Sequence, residues 1–153
     1  MSRRVAALVL ALLLAFPGVV LADNVITGTP RADVLTGTSG KDTISGRGGN
    51  DRIVGRGGND RLNGNAGNDT ISGDAGSDVI IGARGNDTLL GGAGNDRISG
   101  GPGNDAIAGG AGNDVIKVRD GEVDQVSCGP GRDRVIADPQ DKVAHDCEVV
   151  QRG

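Results

Sequence analysis

The 153-residue sequence has no tryptophan, no tyrosine and one phenylalanine. Aromatic side chains supply much of the buried apolar area of an ordinary globular core, so this composition argues against such a core. The chain has 29 glycines instead, and glycine increases the conformational entropy that is lost on folding. These glycines lack the three-residue period of collagen and recur at every ninth position. The absences therefore exclude both a conventional globular core and a collagen helix.

Histidine is nearly absent too, since His145 is the single one. No His-Glu-x-x-His motif of a zinc protease occurs, and serines such as Ser45 and Ser72 have no base nearby in the pattern. Zinc sites prefer histidine or thiolate ligands, which disfavours zinc. We therefore expect no enzyme and no catalytic residues.

Positive charge is in the minority, with 16 Lys and Arg against 20 Asp and Glu. An acidic chain without basic clusters argues against nucleic acid as a partner. The excess of carboxylates suits a protein that binds cations.

Residues 1–22 have the pattern of an export signal. Arg3 and Arg4 precede an apolar run at 5–16, and Ala22 offers a small-residue cleavage site before Asp23. An uncleaved membrane anchor is the alternative, but the run is shorter than the roughly 20 residues that span a bilayer. The Arg pair also suggests twin-arginine export, although ordinary secretion fits better. We expect a secreted, extracellular protein that is not inserted in a membrane after cleavage.

Cysteine is scarce, with Cys128 and Cys147 alone. In an exported chain a disulfide between them is the default expectation, and it would add roughly 3 kcal/mol of stability. Two free thiols are the alternative.

An internal nonapeptide repeat dominates the rest of the sequence. An aliphatic residue follows each repeated aspartate by two positions, as Ile98 follows Asp96, and a glycine precedes it by five, as in Gly91. A second glycine stands two positions before the aspartate in every repeat except the first, where Arg31 takes its place. The aspartates are Asp33, Asp42, Asp51, Asp60, Asp69, Asp78, Asp87, Asp96, Asp105 and Asp114.

Each repeat is predicted to form a six-residue turn and a three-residue strand. Glycine, asparagine and aspartate favour the turn, and alternation along the strand points the aliphatic side chain inward. Two repeats then make one coil, and stacked coils make two parallel sheets that face each other. Outward positions mix Arg61, Val79, Arg97 and Val115, which leaves a partner-binding face as one hypothesis.

The repeat loses its register after Asp114, because the next aspartate that follows the pattern, Asp124, comes one position late. Residues 128–135 partly restore the motif, so we interpret 118–153 as a terminal cap, which solenoids need. The predicted divisions are a signal at 1–22, a repeat array at 23–117 and a cap at 118–153. The apolar contacts of the cap are expected from Val126, Val135, Val143 and Val149.

The repeat resembles the RTX, or hemolysin-type, calcium-binding nonapeptide Gly-Gly-x-Gly-x-Asp-x-aliphatic-x. Residues 91–99 and 100–108 match it at every fixed position, and the resemblance extends over about 28–117. It implies an all-β, right-handed parallel β-roll of about five coils with a small disulfide-bonded C-terminal cap. It also implies that Ca²⁺ is bound by the ten aspartates, between turns that lie two repeats apart, in two rows of five that start at Asp33 and Asp42.

The chemistry of the repeat agrees with this implication. Calcium takes six to eight oxygen ligands in flexible geometry, whereas magnesium demands a tighter octahedron and keeps its waters. In a metal-free solenoid, the alternative, the aspartates would cap turns while their stacked carboxylates repelled one another. We expect calcium to drive folding, in a secreted calcium buffer or matrix component or in a calcium-dependent adhesion module. An appendage of a hydrolase is less favoured.

Overall fold

A computed structural model describes residues 24–153, and the predicted export signal lies outside this range. The described chain consists of fifteen short strands joined by turns and contains no helix. Accordingly, nothing in this part of the chain forms an apolar helix of membrane-spanning length. The strands are β1 (Asn24–Thr27), β2 (Val34–Thr36), β3 (Asp42–Gly48), β4 (Arg52–Gly57), β5 (Arg61–Ala66), β6 (Thr70–Ala75), β7 (Val79–Arg84), β8 (Thr88–Ala93), β9 (Arg97–Ser99), β10 (Ala106–Ala111), β11 (Val115–Lys117), β12 (Gln125–Ser127), β13 (Arg134–Ala137), β14 (Lys142–Val143) and β15 (Val149–Arg152).

Odd-numbered strands form one eight-stranded sheet and even-numbered strands form a seven-stranded sheet. Every pairing is parallel, and through the repeats each residue pairs with the one two repeats further on, as Ile44 with Leu62. The all-β parallel roll with two repeats in each coil is therefore confirmed. Its stack is about seven turns high rather than five, because both sheets continue past the last regular repeat.

The aliphatic column of the repeat forms the core between the sheets. All ten members are at most 9% exposed, and from Ile44 onward at most 4%. Their strand neighbours, such as Arg97 beside Ile98, face outward. Alternation along each short strand thus places one aliphatic side chain per repeat in the core, and the two sheets each contribute one layer of such side chains.

The C-terminal segment extends the roll with an altered register. Ile107 pairs with Val126, one position later than two repeats would place its partner, and Val126 then pairs with Val143, one position earlier. The predicted disulfide between Cys128 and Cys147 is present, with a Cα–Cα distance of 5.2 Å.

Three of the four valines expected to pack in this segment do so. Val126 and Val135 are buried, and the partly buried Val143 packs against the same core. The prediction for Val149 is wrong, because it pairs with the outward-facing Arg134 and is 48% exposed.

Candidate metal centre

The repeated aspartates lie in two rows, one in each set of turns that stack on the same side of the roll. Within a row, the Oδ1 atom of each aspartate accepts a hydrogen bond from the backbone N–H of the aspartate two repeats earlier. The Asp51 N–H donates to Asp69 at 2.7 Å, and the Asp69 N–H donates to Asp87 at 2.7 Å. The rows contain Asp33, Asp51, Asp69, Asp87 and Asp105, and Asp42, Asp60, Asp78, Asp96 and Asp114.

Both rows continue into the C-terminal segment, which the sequence reasoning did not assign to the site. The Asp105 N–H donates to Asp124 at 2.7 Å, and the Asp114 N–H donates to Asp133 at 2.8 Å. The signal was available, because each of these aspartates has a valine two positions later, as the repeat requires. A search in strict steps of nine residues misses both aspartates, because Asp124 and Asp133 lie one position later than that count predicts.

The second carboxylate oxygen, Oδ2, has no hydrogen-bond partner in ten consecutive aspartates of the rows. Each of these residues is at most 2% exposed. A buried carboxylate oxygen without a hydrogen-bond donor destabilises the folded state. We call these Oδ2 atoms orphan oxygens, and their regular recurrence requires an explanation. The residues are Asp51, Asp60, Asp69, Asp78, Asp87, Asp96, Asp105, Asp114, Asp124 and Asp133.

The first aspartate of each row is different, because its Oδ2 is already satisfied. Thr29 donates to Asp33 through its backbone N–H at 2.6 Å and its hydroxyl at 2.8 Å. Thr38 makes the same two bonds to Asp42, at 2.6 and 3.1 Å. These two threonines replace the second glycine of the motif, and the start of each row therefore has less need of a cation.

A glycine five positions earlier lies opposite the orphan oxygen of each repeat aspartate from Asp51 to Asp114, whereas Asp124 and Asp133 have Arg119 and Cys128 at that position. A Cβ added to Gly82 would collide with Oδ2 of Asp87 and lie 2.8 Å from the carbonyl oxygen of Gly100, one coil further on. The same arrangement recurs at Gly64, where Oδ2 of Asp69 and the carbonyl of Gly82 converge. The five-before glycine thus keeps open a space into which a carboxylate oxygen and a main-chain carbonyl both point.

Burial raises the pKa of the row aspartates from Asp51 to Asp124, which makes these nine carboxylates poor anions in the absence of a cation. Burial, assisted by carboxylates in adjacent coils, raises the pKa of Asp60 and Asp69 to about 6, while a backbone N–H opposes the shift. The pKa of Asp105 rises to about 7 and that of Asp124 to about 6 for the same leading reason. The folded rows therefore resist carrying their full negative charge near neutral pH unless a cation compensates it.

The donor set fits a hard cation. It consists of carboxylate and carbonyl oxygens only, which suits calcium or magnesium and not zinc or copper. Cys128, Asp146 and Cys147 also bring three potential ligand atoms within 4.8 Å, but the two sulfurs are joined in a disulfide and offer no thiolate. Among the described residues, the aspartate rows are the arrangement that meets the chemistry of a metal site.

The fold and these rows define a class of protein, the parallel β-solenoids whose turns present stacked oxygen ligands. The family description "RTX calcium-binding nonapeptide repeat (4 copies)" matches residues 27–62, 54–89 and 81–116. The matches span more than half of the chain, which therefore belongs to this calcium-binding repeat family. A comparison with curated proteins gave no match.

Proposed function

We propose that the protein is a secreted calcium-binding rod whose coils are held together by Ca²⁺ between stacked turns. The observation that carries the proposal is the run of ten buried Oδ2 atoms without partners. Each carboxylate links two coils through Oδ1 and leaves Oδ2 for a cation. The ligands would be the repeated aspartates from Asp51 to Asp114, with Asp124 and Asp133, and carbonyls of the turns. Asp33 and Asp42 begin the rows, where Thr29 and Thr38 compete with the cation for Oδ2.

Calcium would couple binding to folding. Ten buried carboxylates in two rows disfavour the folded state while they are ionised and unpaired. A divalent cation between two coils neutralises two of them and crosslinks the coils. Because the unfolded chain has no such preformed site, the free energy of metal binding becomes free energy of folding.

The proposal predicts a chain that is largely unfolded in chelator and gains β-structure in millimolar calcium. Circular dichroism of the purified protein in chelator, and then with added calcium, measures this change. Magnesium at the same concentration is the control, and it should produce a much smaller gain because it demands octahedral geometry and keeps its waters. A full β spectrum in chelator would contradict the folding role.

The ligand assignment is tested separately by calcium stoichiometry. The double variant Asp69→Asn with Asp87→Asn removes two neighbouring carboxylates from the centre of one row. It should bind fewer ions than the parent and require more calcium to fold. The matched control is Asp74→Asn, since Asp74 is exposed and lies outside both rows. An unchanged stoichiometry in the double variant would refute the assignment.

A catalytic role is not part of the proposal. His145 is exposed and lies two positions from Cys147 of the disulfide. The rows consist of carboxylates already committed to hydrogen bonds between coils, which fits a structural use of the bound cation. Secretion is consistent with the export signal and with the disulfide, since disulfides persist in oxidising compartments.

A further inference from the structure

From β5 to β13, the outer face of the eight-stranded sheet carries an arginine at every second coil. Strand register aligns Arg61 with Val79, Val79 with Arg97, Arg97 with Val115, and Val115 with Arg134. We call this column the arginine ladder. All three arginines are exposed. Adjacent strands lie about 4.8 Å apart, so the guanidinium groups start from backbone positions about 9.6 Å apart.

The surroundings of the ladder reinforce its positive charge. Lys117 lies in the adjacent outward column, where it pairs with Ser99. Among the described residues, the outward positions of this sheet's eight strands include no aspartate or glutamate. A face free of acidic residues is unexpected in a chain with an excess of carboxylates, and it arises because the acidic residues are in the turns.

The other sheet does not repeat the pattern. Its matching outward column has cations only near its two ends, at Arg52 and Lys142. Between them lie Thr70, Thr88, Ala106 and Gln125. It also carries an exposed carboxylate at Asp74. The ladder is therefore a property of one face and does not follow from the nonapeptide repeat.

A shallow groove of about 240 Å³ crosses the ladder. Its lining includes Val79, Ile81, Arg97, Val115 and Lys117. Apolar side chains thus separate the cationic ones along the groove, so that charged and uncharged contacts alternate along the axis of the rod.

We propose that the arginine ladder binds an extended acidic polysaccharide in which charged and uncharged sugars alternate. A guanidinium group pairs with a carboxylate or sulfate through two parallel hydrogen bonds. The intervening valines offer an apolar surface to the C–H face of a sugar ring. The positive charge of the ladder favours a polyanion as its ligand. Because arginine alternates with valine, the face favours a polyanion whose negative charges are widely spaced.

Nucleic acid fits this face less well. A DNA strand carries a phosphate about every 3.4 Å along a duplex, which is much denser than the ladder. Single strands are held by stacking on aromatic side chains, and the described chain has none. The alternating polysaccharide therefore matches both the charge spacing and the composition of the face.

The inference rests on the proposed function in one respect, since the ladder forms only when the coils are stacked. Circular dichroism is therefore recorded first, and binding is measured in whichever condition gives the β spectrum. A failure of calcium-induced folding is seen at that first step, before any polysaccharide is added. If the arginine ladder does not bind polysaccharide, the protein still folds, and only the binding measurement on the folded protein shows the failure.

The test is titration of the folded protein with hyaluronate, which carries one carboxylate per two sugars. The triple variant Arg61→Gln, Arg97→Gln and Arg134→Gln should bind roughly tenfold more weakly, since it loses three exposed ion pairs, each of which contributes modestly. The matched control has the same loss of charge on the other face, through Arg52→Gln, Arg56→Gln and Lys142→Gln, and should keep the parent affinity. Neutral dextran should not bind.

Three results would overturn the inference. The first is no binding of hyaluronate by the folded parent protein. The second is an equal loss of affinity in both triple variants, which would assign binding to net charge alone. The third is binding of single-stranded DNA as tight as that of hyaluronate, which would assign the face to nucleic acid.

Discussion

Two neighbouring residues of β7 are under opposite constraints. Gly82 has no room for a side chain, because a Cβ would meet the Asp87 carboxylate and the Gly100 carbonyl. Ala83 has a φ of 84°, a left-handed conformation that costs an L-residue roughly 1–2 kcal/mol. Four other non-glycine residues occupy the equivalent position with φ between 72° and 80°; they are Arg47, Arg56, Asn65 and Asp74. The backbone thus keeps the left-handed conformation near the ends of β3 to β7 despite the loss of the motif's second glycine.

We predict that Gly82→Ala and Ala83→Gly change stability in opposite directions. Gly82→Ala should lower the free energy of unfolding in calcium by about 1–3 kcal/mol through overpacking. Ala83→Gly should raise it by about 0.5–1 kcal/mol, because relief of the left-handed strain exceeds the added chain entropy. Denaturant unfolding at fixed calcium measures both values. A stabilising Gly82→Ala would show that the space beside Asp87 is not needed for the site.

At the scale of the strands and turns, the aspartate rows make the stability of the fold depend on pH. Acid favours the metal-free folded state and opposes the calcium-bound one. The raised pKa of Asp60, Asp69 and Asp105 means that the folded state favours their protonated form. Without metal, their contribution to stability is fully present below about pH 4, near the unfolded pKa of 3.8, and is lost as pH rises through about 6–7. Calcium requires the ionised form, so protons compete with it.

Two opposite responses to acidification follow. In chelator, lowering the pH from 7.5 to 4.5 should increase the β content measured by circular dichroism. In the presence of calcium, the concentration that half-fills the sites should rise between pH 7.5 and 5, because protons then stabilise the metal-free folded state with which calcium competes. Bound calcium is the measurement here, since both folded forms have β-structure. A calcium midpoint that does not change with pH would exclude these carboxylates as ligands.

The sequence predicted the regular part of the fold because one short-range rule repeats. Ile98 is buried and Arg97 is exposed through alternation alone, and Asp96 bonds to an aspartate two repeats away because two repeats close one coil. The same counting failed at Asp124 and Asp133, where a single inserted residue shifts the count while the strand pairing restores the row. Orphan oxygens, and the threonines that satisfy Asp33 and Asp42, depend on three-dimensional contacts and could not be derived from spacing.

At the scale of the whole molecule, the roll is a one-dimensional stack. Each coil pairs with the coils directly above and below it, so stability is approximately a sum of local terms and neighbour interfaces. The C-terminal end is irregular, because paired residues there are no longer two repeats apart in sequence. The separation is longer between Ile107 and Val126 and shorter between Arg134 and Val149. The disulfide between Cys128 and Cys147 lies at this end and links turns that the repeat no longer aligns.

We predict that the double variant Cys128→Ser with Cys147→Ser loses stability mainly at the C-terminal end. The bond closes a loop with a sequence separation of 19, so its removal should cost about 3 kcal/mol. Hydrogen exchange in calcium should show faster exchange in β12 to β15 and little change in β5 to β7, since those coils contact only their own neighbours. Reductant should reproduce the effect in the parent and have none in the variant. A uniform loss of protection along the rod would mean instead that the whole stack unfolds as one unit and that the disulfide stabilises every coil equally.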